Sequence, residues 1–407
     1  MLLKVLLLVS SLTSFSCFAN SNMQFSAFGT LALTTTDSDT YGYRKDVSYD
    51  KGVFSGDLDL LSHSLIGGQV NVGLSNEFDF VGQAVIKDMA KKSLDNYLTM
   101  AFLRYAPKPE WAIRVGRTAI DIFLITEYRD IGIANPWATV PNEVYSIIPF
   151  RFVDGADINY QLRLNEGTLT SKIFTGKSDS YLSTSNITEK IQVDNILGAS
   201  VSYDKSDWII QARYSAAQLA NETQSTLALI GAINTVPVTI WPNASSFSQT
   251  LRVLNTNIKY LSLSYQQYFN RWLLTTEFSQ VKANDSPVIP TINSGYLGLS
   301  YQFDQYTIYG VSAFSQSDNY QFNETNVIEA AIPELINAVE GNMNFYATNQ
   351  NTISLGLRWD ISANMALSLQ WSHSNIKQQG GTLWIDNSDN SPKDHVNTLL
   401  LSMSFSL

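Results

Sequence analysis

The 407-residue chain carries 26 basic against 36 acidic side chains, a formal charge of −10, and this balance disfavours nucleic acid as a partner. Only 15 % of its residues are charged and 12 % are aromatic, the mean hydropathy is −0.05, and beyond the first residues no apolar run is long enough to cross a bilayer as a helix. Helical membrane proteins are excluded on these grounds, whereas a closed sheet with one oily and one wet face has just this composition.

The first segment reads as an export signal. Lys4 precedes an apolar run over 5–12, and Cys17-Phe18-Ala19 offers a small-residue cleavage site, so residues 1–19 are expected to be removed. The run falls short of the ~20 residues a spanning helix needs. Cys17 is the one cysteine, and a lipoprotein signal would want a Leu-like residue where Ser14 stands. Cleavage after Ala19 leaves a single domain, 20–407, without cysteine and therefore without disulfides.

From there the chain alternates apolar and polar residues with period two, in segments of about ten residues, the length of a tilted membrane strand. A lone strand over 24–33 comes first. Hairpins follow at 69–74 and 77–87 about Ser75-Asn76, at 97–105 and 111–117 about 107–110, and from 155–164 through Asn165-Glu166-Gly167 to Leu169. In the next, Leu197, Ala199, Val201 and Tyr203 share one face and Gly198, Ser200 and Ser202 the other. After Asp204-Lys205-Ser206, Trp208, Ile210, Ala212, Tyr214 and Ala216 oppose Gln211, Arg213 and Ser215. Three more hairpins, 257–267 with 272–281, 295–303 with 306–315 and 352–359 with 365–374, lead to a last lone strand at 396–407. Seven hairpins and two lone strands make about sixteen strands, an even number as bacterial barrels require.

The other connections are long and polar: 34–61, 89–96, 118–149, 178–193, 219–252, 282–294, 316–351 and 375–395. Short turns on one side and long loops on the other are the outer-membrane arrangement; a soluble β-sandwich would not segregate its loops. Tyr105, Trp111, Tyr203, Trp208, Tyr265, Trp272, Tyr301, Phe303, Tyr306 and Trp359 all lie near the short turns, where a ring of amphipathic aromatics would mark the inner interface. Apolar stretches at 227–240 and 327–339 are expected to form short helices over the mouth or against a neighbouring subunit, limited by Pro237 and Pro333.

The layout resembles the trimeric porins of Gram-negative outer membranes, and more narrowly the porin-like proteins of proteobacteria. The first strand begins just after the signal, the third loop is long, and the last strand alternates Leu399, Leu401, Met403, Phe405 and Leu407 like that family's assembly signal, with Leu407 where Phe or Trp is usual. Local matches are Arg114-Val-Gly-Arg117 before the third loop, Pro141-Asn-Glu143-Val-Tyr145 within it and Asp154-Gly155-Ala156 after it. The resemblance implies an all-β transmembrane antiparallel barrel of about sixteen strands with the third loop folded into the lumen. It further implies a homotrimer set in lipid and lipopolysaccharide of the outer membrane, passing ions and small hydrophilic solutes through a water-filled channel.

Selectivity in such a channel is steric and electrostatic. The third loop offers Asp121, Glu127, Arg129, Asp130 and Glu143, and the inward parity of the strands offers Lys87, Arg104, Arg114, Asp157, Arg163 and Arg213. Arg114 stands out because Ile113 and Val115 face lipid beside it; Arg117 has outward parity but ends its strand. Charges facing lipid at mid-strand cost a few kcal/mol, so nearly all such charges should be lumenal. Net charge and the acidic third loop point to cation preference. A channel selective for sugars, anions or organic acids is the alternative, and a barrel hydrolase a more distant one: of His63, His373 and His395, only His373, between Ser372 and Ser374, suits catalysis at all. The acidic 386–394 stretch lacks the spacing and glycine of a calcium loop, so neither metal nor cofactor is expected. An energised import receptor would need a plug domain and about twenty-two strands, yet strand character begins at Gln24.

Overall fold

A computed structural model describes residues 22–183, 187–283, 286–377, 383–387 and 395–407. The expected signal, 1–19, and all of the acidic 386–394 stretch but Asp386 and Asn387 lie outside these residues. The strands are β1 (Met23–Thr36), β2 (Tyr41–Tyr43), β3 (Leu65–Gly73), β4 (Phe78–Lys87), β5 (Leu98–Lys108), β6 (Trp111–Ala119), β7 (Phe152–Leu164), β8 (Gly167–Ser183), β9 (Thr188–Lys205), β10 (Trp208–Leu219), β11 (Asn257–Phe269), β12 (Trp272–Ala283), β13 (Ile292–Phe303), β14 (Tyr306–Ser317), β15 (Asn349–Ser362), β16 (Met365–Ile376), β17 (Trp384–Asp386) and β18 (His395–Ser406). Sixteen of them close into one antiparallel barrel, each beside its chain neighbour, while β2 and β17 pair separately.

Closure is made where the chain's two ends meet. β1 runs against β18 with Leu31 opposite Met403 and Leu33 opposite Leu401, and Ala27 and Leu407 exchange both backbone hydrogen bonds at 3.1 and 2.8 Å. No strand edge is left for lipid, which has no partner to offer it. The alternation read from the sequence is what the wall displays: Leu197, Val201, Ile353, Leu355 and Leu357 are exposed, and Ser354, Gln370 and Ser402 between them or beside them are buried. The aromatics near the short turns do form a girdle. Phe269, Trp272, Tyr301, Phe303, Tyr306 and Trp359 follow one another with ring centroids 4.7 to 6.4 Å apart, and Tyr203, Trp208 and Tyr265 continue it.

One connection expected as a loop is strand. Residues 178–183 and 188–193 prolong β8 and β9, pairing from Ser178 opposite Val193 to Ser183 opposite Thr188. Ile191 and Val193 alternate there with exposed Lys190, Gln192 and Asp194, but the register shift between Gly176 and Ser178 breaks their parity with the rest of the strand, so the alternation does not run on. The apolar stretches of the outer loops form the helices Gln224–Asn234 and Pro333–Met343, each placed a few residues from the expected position. Thr223 caps the first by accepting from the Thr226 amide, and Asn342 of the second donates to Thr226 Oγ1 at 3.2 Å. Their buried Ile233 and Val339 join Ile122, Phe123, Trp137 and Tyr145 of the third long loop in one apolar cluster inside the outer half of the barrel.

Where that loop leaves and returns, the wall carries a row of paired glycines. Gly116 of β6 sits opposite Gly155 of β7, which sits opposite Gly176 of β8. Gly116 has φ +130°, and a Cβ there would come 2.3 Å from the Ala101 carbonyl; only glycine tolerates both. Gly116→Ala should therefore lower folded-state stability by about 1–3 kcal/mol, read from the denaturant midpoint of the refolded barrel by tryptophan fluorescence. Gly231→Ala, where a Cβ meets nothing within 4 Å, should leave that midpoint unchanged or slightly raised.

Candidate functional site

Residues 120–151 join β6 to β7 and lie across the lumen as a plate fastened around most of its circumference. On one half the fastenings are charges. Asp121 takes Arg213 Nε at 3.0 Å, Lys172 Nζ at 3.1 Å and Ser200 Oγ at 2.7 Å. Arg114 holds Asp157 at 2.9 Å and Glu127 at 3.0 Å, and Lys172 also reaches Glu127 at 3.6 Å. The second η nitrogen of Arg114 is buried with no hydrogen-bond partner among the described residues. Asp130 binds Lys87 at 3.0 Å and Arg151 at 3.4 Å. Arg151 also pairs with Asp46 of the first long loop.

On the other half the fastenings are neutral or single-sided. Buried Glu277 of β12 accepts from the Leu124 amide at 3.1 Å, from Tyr145 Oη at 2.7 Å and from Tyr296 Oη at 3.3 Å. Arg358 of β15 donates to the Ile133 carbonyl at 3.0 Å and to that of Asn135. Trp137 Nε1 donates to Ser300 at 3.2 Å, and Tyr309 Oη accepts from the Ala138 amide at 3.0 Å. Glu143 accepts from Gln350 at 2.6 Å and from Thr352. Gly132 lies against Thr30 and Ser404, on the seam of β1 and β18.

The sequence-derived candidates divide accordingly. Arg114, Asp121, Glu127, Asp130, Asp157 and Arg213 come together around the loop, with Lys87, and Arg129 stands over the rings of Phe123 and Tyr145 at 5.4 and 5.8 Å. Glu143 is a buried anchor of the loop and faces no cation. Arg104 lies opposite Arg114 but binds Asp79 at 2.9 Å and touches no loop residue. Arg163 is exposed next to the Asn165-Glu166 turn, away from the loop. Arg117 is not a lumenal group. Its outward parity prevails at the strand end, where Asp154 grips it at 2.7 and 2.8 Å, Asp95 at 3.0 Å and Phe152 stacks beneath it. Sequence reasoning passed over Lys172, although Ile173 beside it is exposed and the alternation turns it inward. Lys45, Asp46 and Arg151 lie in loops, where no periodicity could have found them. His373 meets Asn397 at 2.9 Å and stacks near Trp371 and His395 rather than near a serine and carboxylate pair, and among the described residues no cluster suits a metal ion.

No protein-family model matches the chain, and no curated protein is similar to it. Solved structures do match over 95 % of its length. Salmonella typhi OmpF in complex with daunomycin superposes with a TM-score of 0.55 at 10 % identity, covering 98 % of that chain. The outer-membrane channel DcaP of Acinetobacter baumannii gives 0.53 at 12 % identity over 99 % of its chain, and the anion-selective porin from Comamonas acidovorans 0.52 at 12 % over its full length. The fold is that of the Gram-negative outer-membrane porins. In this barrel residues 120–151 cross the lumen, and Asp121, Glu127 and Asp130 among them are ion-paired to the wall.

Two outcomes follow. Asp121→Asn leaves Arg213 without its carboxylate partner and Lys172 with only the longer contact to Glu127, so the reversal potential in a salt gradient should move toward anions, and breaking this largely buried pair should cost up to about 3–5 kcal/mol of stability. The second concerns pH. Burial raises the carboxyl pKa of Asp46 and Asp130, but Arg151 beside the first and Lys87 beside the second lead a set of cations that lowers it by more, so both lie below the usual 3.8. A carboxylate depressed in this way stabilises fully above its unfolded value and loses that contribution as the pH falls through its folded value. On the acid side of neutrality these two fastenings should hold to about pH 5 and loosen only below roughly pH 4; an infrared signal of carboxylate protonation near pH 6 that Asp46→Asn or Asp130→Asn removes would contradict this.

Proposed function

We propose that the chain is an outer-membrane porin for passive diffusion of ions and small hydrophilic solutes, exported by a cleaved signal at 1–19 and assembled as a homotrimer in lipid and lipopolysaccharide. The observation that carries the reading is a closed sixteen-stranded barrel whose lumen is crossed by a loop flanked by opposed charges. Such a loop limits solute size and sets a transverse field, the two devices by which a passive pore selects. The fold's neighbours, which include a channel and an anion-selective porin, support the same reading. Arg114, Lys172 and Arg213 with Asp121, Glu127 and Asp157 would line the narrowest path on the charged side.

The charges near the loop argue against the cation preference that net charge suggests. Along the charged side of the loop, Lys45, Lys87, Arg114, Arg129, Arg151, Lys172 and Arg213 are seven cations against the five carboxylates of Asp46, Asp121, Glu127, Asp130 and Asp157. On the other side Glu143 and Glu277 are buried as hydrogen-bond acceptors and Arg358 is paired with Asp360. We therefore read the pore as anion-favouring, its acidic excess being spent on outer loops. Refolded protein in a planar bilayer should give stepwise conductance with a reversal potential on the anion side; absence of steps would remove the channel reading, and a cation-side potential would remove the preference.

A further inference from the structure

We propose that the outer half of the lumen holds a recognition site for a solute with a small apolar body and one anionic head, a monocarboxylate of about the size of benzoate. The inference rests on the channel reading and names the substrate class of that same lumen. Its starting point is a break in the wall's own rule. Along the lipid-facing part of β9, the odd-numbered Leu197 and Val201 are exposed. Beyond Asn195, which has φ +52°, the odd-numbered Ile191 and Val193 are buried and turn into the lumen. A shift in the β8 and β9 register between Gly176 and Ser178 produces the reversal. The face of a water-filled channel should be polar, so apolar residues brought inward by a bulge need a reason.

They enclose a cavity of about 110 Å³ walled by Ile120, Ile148, Phe150, Ile196, Ile258 and their neighbours, with no charged side chain in its lining. That is somewhat under the ~150 Å³ in which an apolar protein cavity takes up benzene. Leu182 and Tyr346 are shared with a wider, 290 Å³ cavity among the outer-loop helices. Ile120 and Phe150 are shared with a 40 Å³ niche whose charged lining is Arg129, Arg151, Glu127 and Asp130. An apolar chamber thus stands between the outside and a charged recess.

The recess is cation-rich. Lys45, Lys87, Arg129 and Arg151 gather about three carboxylates, Asp46, Glu127 and Asp130, and neither Lys45 nor Arg129 has an ion-pair partner among the described residues. Arg129 is steadied instead by two aromatic faces and the Tyr145 carbonyl. A carboxylate at Arg129 would satisfy a charge the protein leaves over, with its body lying on Ile120 and Phe150. An ammonium head would meet the excess of cations, and a sugar would lose its hydrogen bonds to water in the apolar chamber.

Calorimetry on the detergent-refolded chain, with benzoate, acetate, benzylammonium and glucose as probes, tests this alongside single-channel recording. Benzoate should bind at least about tenfold more tightly than each of the others. Arg129→Gln should weaken benzoate about tenfold, and Ile148→Asn should abolish the preference for benzoate over acetate; each variant suffices alone. Equal binding of acetate and benzoate, or binding of benzylammonium or glucose as tight as benzoate, overturns the proposal. Conductance steps without benzoate binding overturn it and leave the channel standing, whereas benzoate binding without conductance upholds the site and removes the channel.

Discussion

Lipid offers no hydrogen-bond partner to a peptide group, and the closure of one backbone ladder around sixteen strands is the constraint on which everything else in this chain depends. It requires that β1 and β18, from opposite ends of the sequence, meet in register, which Ala27 and Leu407 do. It also turns alternate side chains to lipid, so charge is confined to the lumen and the loops. A ring of sixteen strands is too wide for its own inward side chains to fill. The bore must then be set by something other than the wall.

Here that element is the 120–151 loop, and the manner of its attachment differs from one side of the lumen to the other. Along β12 to β15 it is held by hydroxyls, amides and a buried carboxylate, contacts that hold position without leaving net charge. Along β4 and β6 to β10 it is held by ion pairs. Ion pairs in a partly hydrated lumen add little net stability compared with apolar packing, but losing one partner is costly because the other charge is stranded. They therefore fix the loop while keeping strong local fields beside the route a solute would take. The glycine row across β6, β7 and β8 lets the three backbones approach closely at the point where the loop departs.

Most of the barrel was legible in the sequence because period two is a physical requirement of a wall with two solvents. Leu197 against Ser200, or Leu355 against Ser354, announces its face without any knowledge of partners. The 178–193 segment was not legible because the register shift between Gly176 and Ser178 reverses the parity of Ile191 and Val193 relative to Leu197 and Val201. The site was half legible. Arg114, Asp157 and Arg213 follow from strand parity, as does the outward parity of Arg117, and Asp121, Glu127 and Asp130 from lying in the third loop; that Glu143 anchors the loop depends on tertiary contacts that no spacing encodes. Lys45, Asp46 and Arg151 lie in loops brought together only by the folded lumen.

The same logic explains why an apolar chamber in such a barrel should bear on function and not on stability alone. Apolar area turned inward could simply seal the outer half, and the cluster of Ile233, Trp241 and Val339 with the third loop does bury helices that would otherwise have no partner. A sealing core, however, would be expected to pack without voids, as protein interiors do, and to be kept apart from uncompensated charge. This one contains a cavity that adjoins a cation-rich recess through Ile120 and Phe150. A pore conducts well when each station binds strongly enough to admit a solute and weakly enough to release it to the next. Weak apolar contact in the chamber followed by charge attraction in the recess is such a sequence, and it favours the solute that can use both in that order.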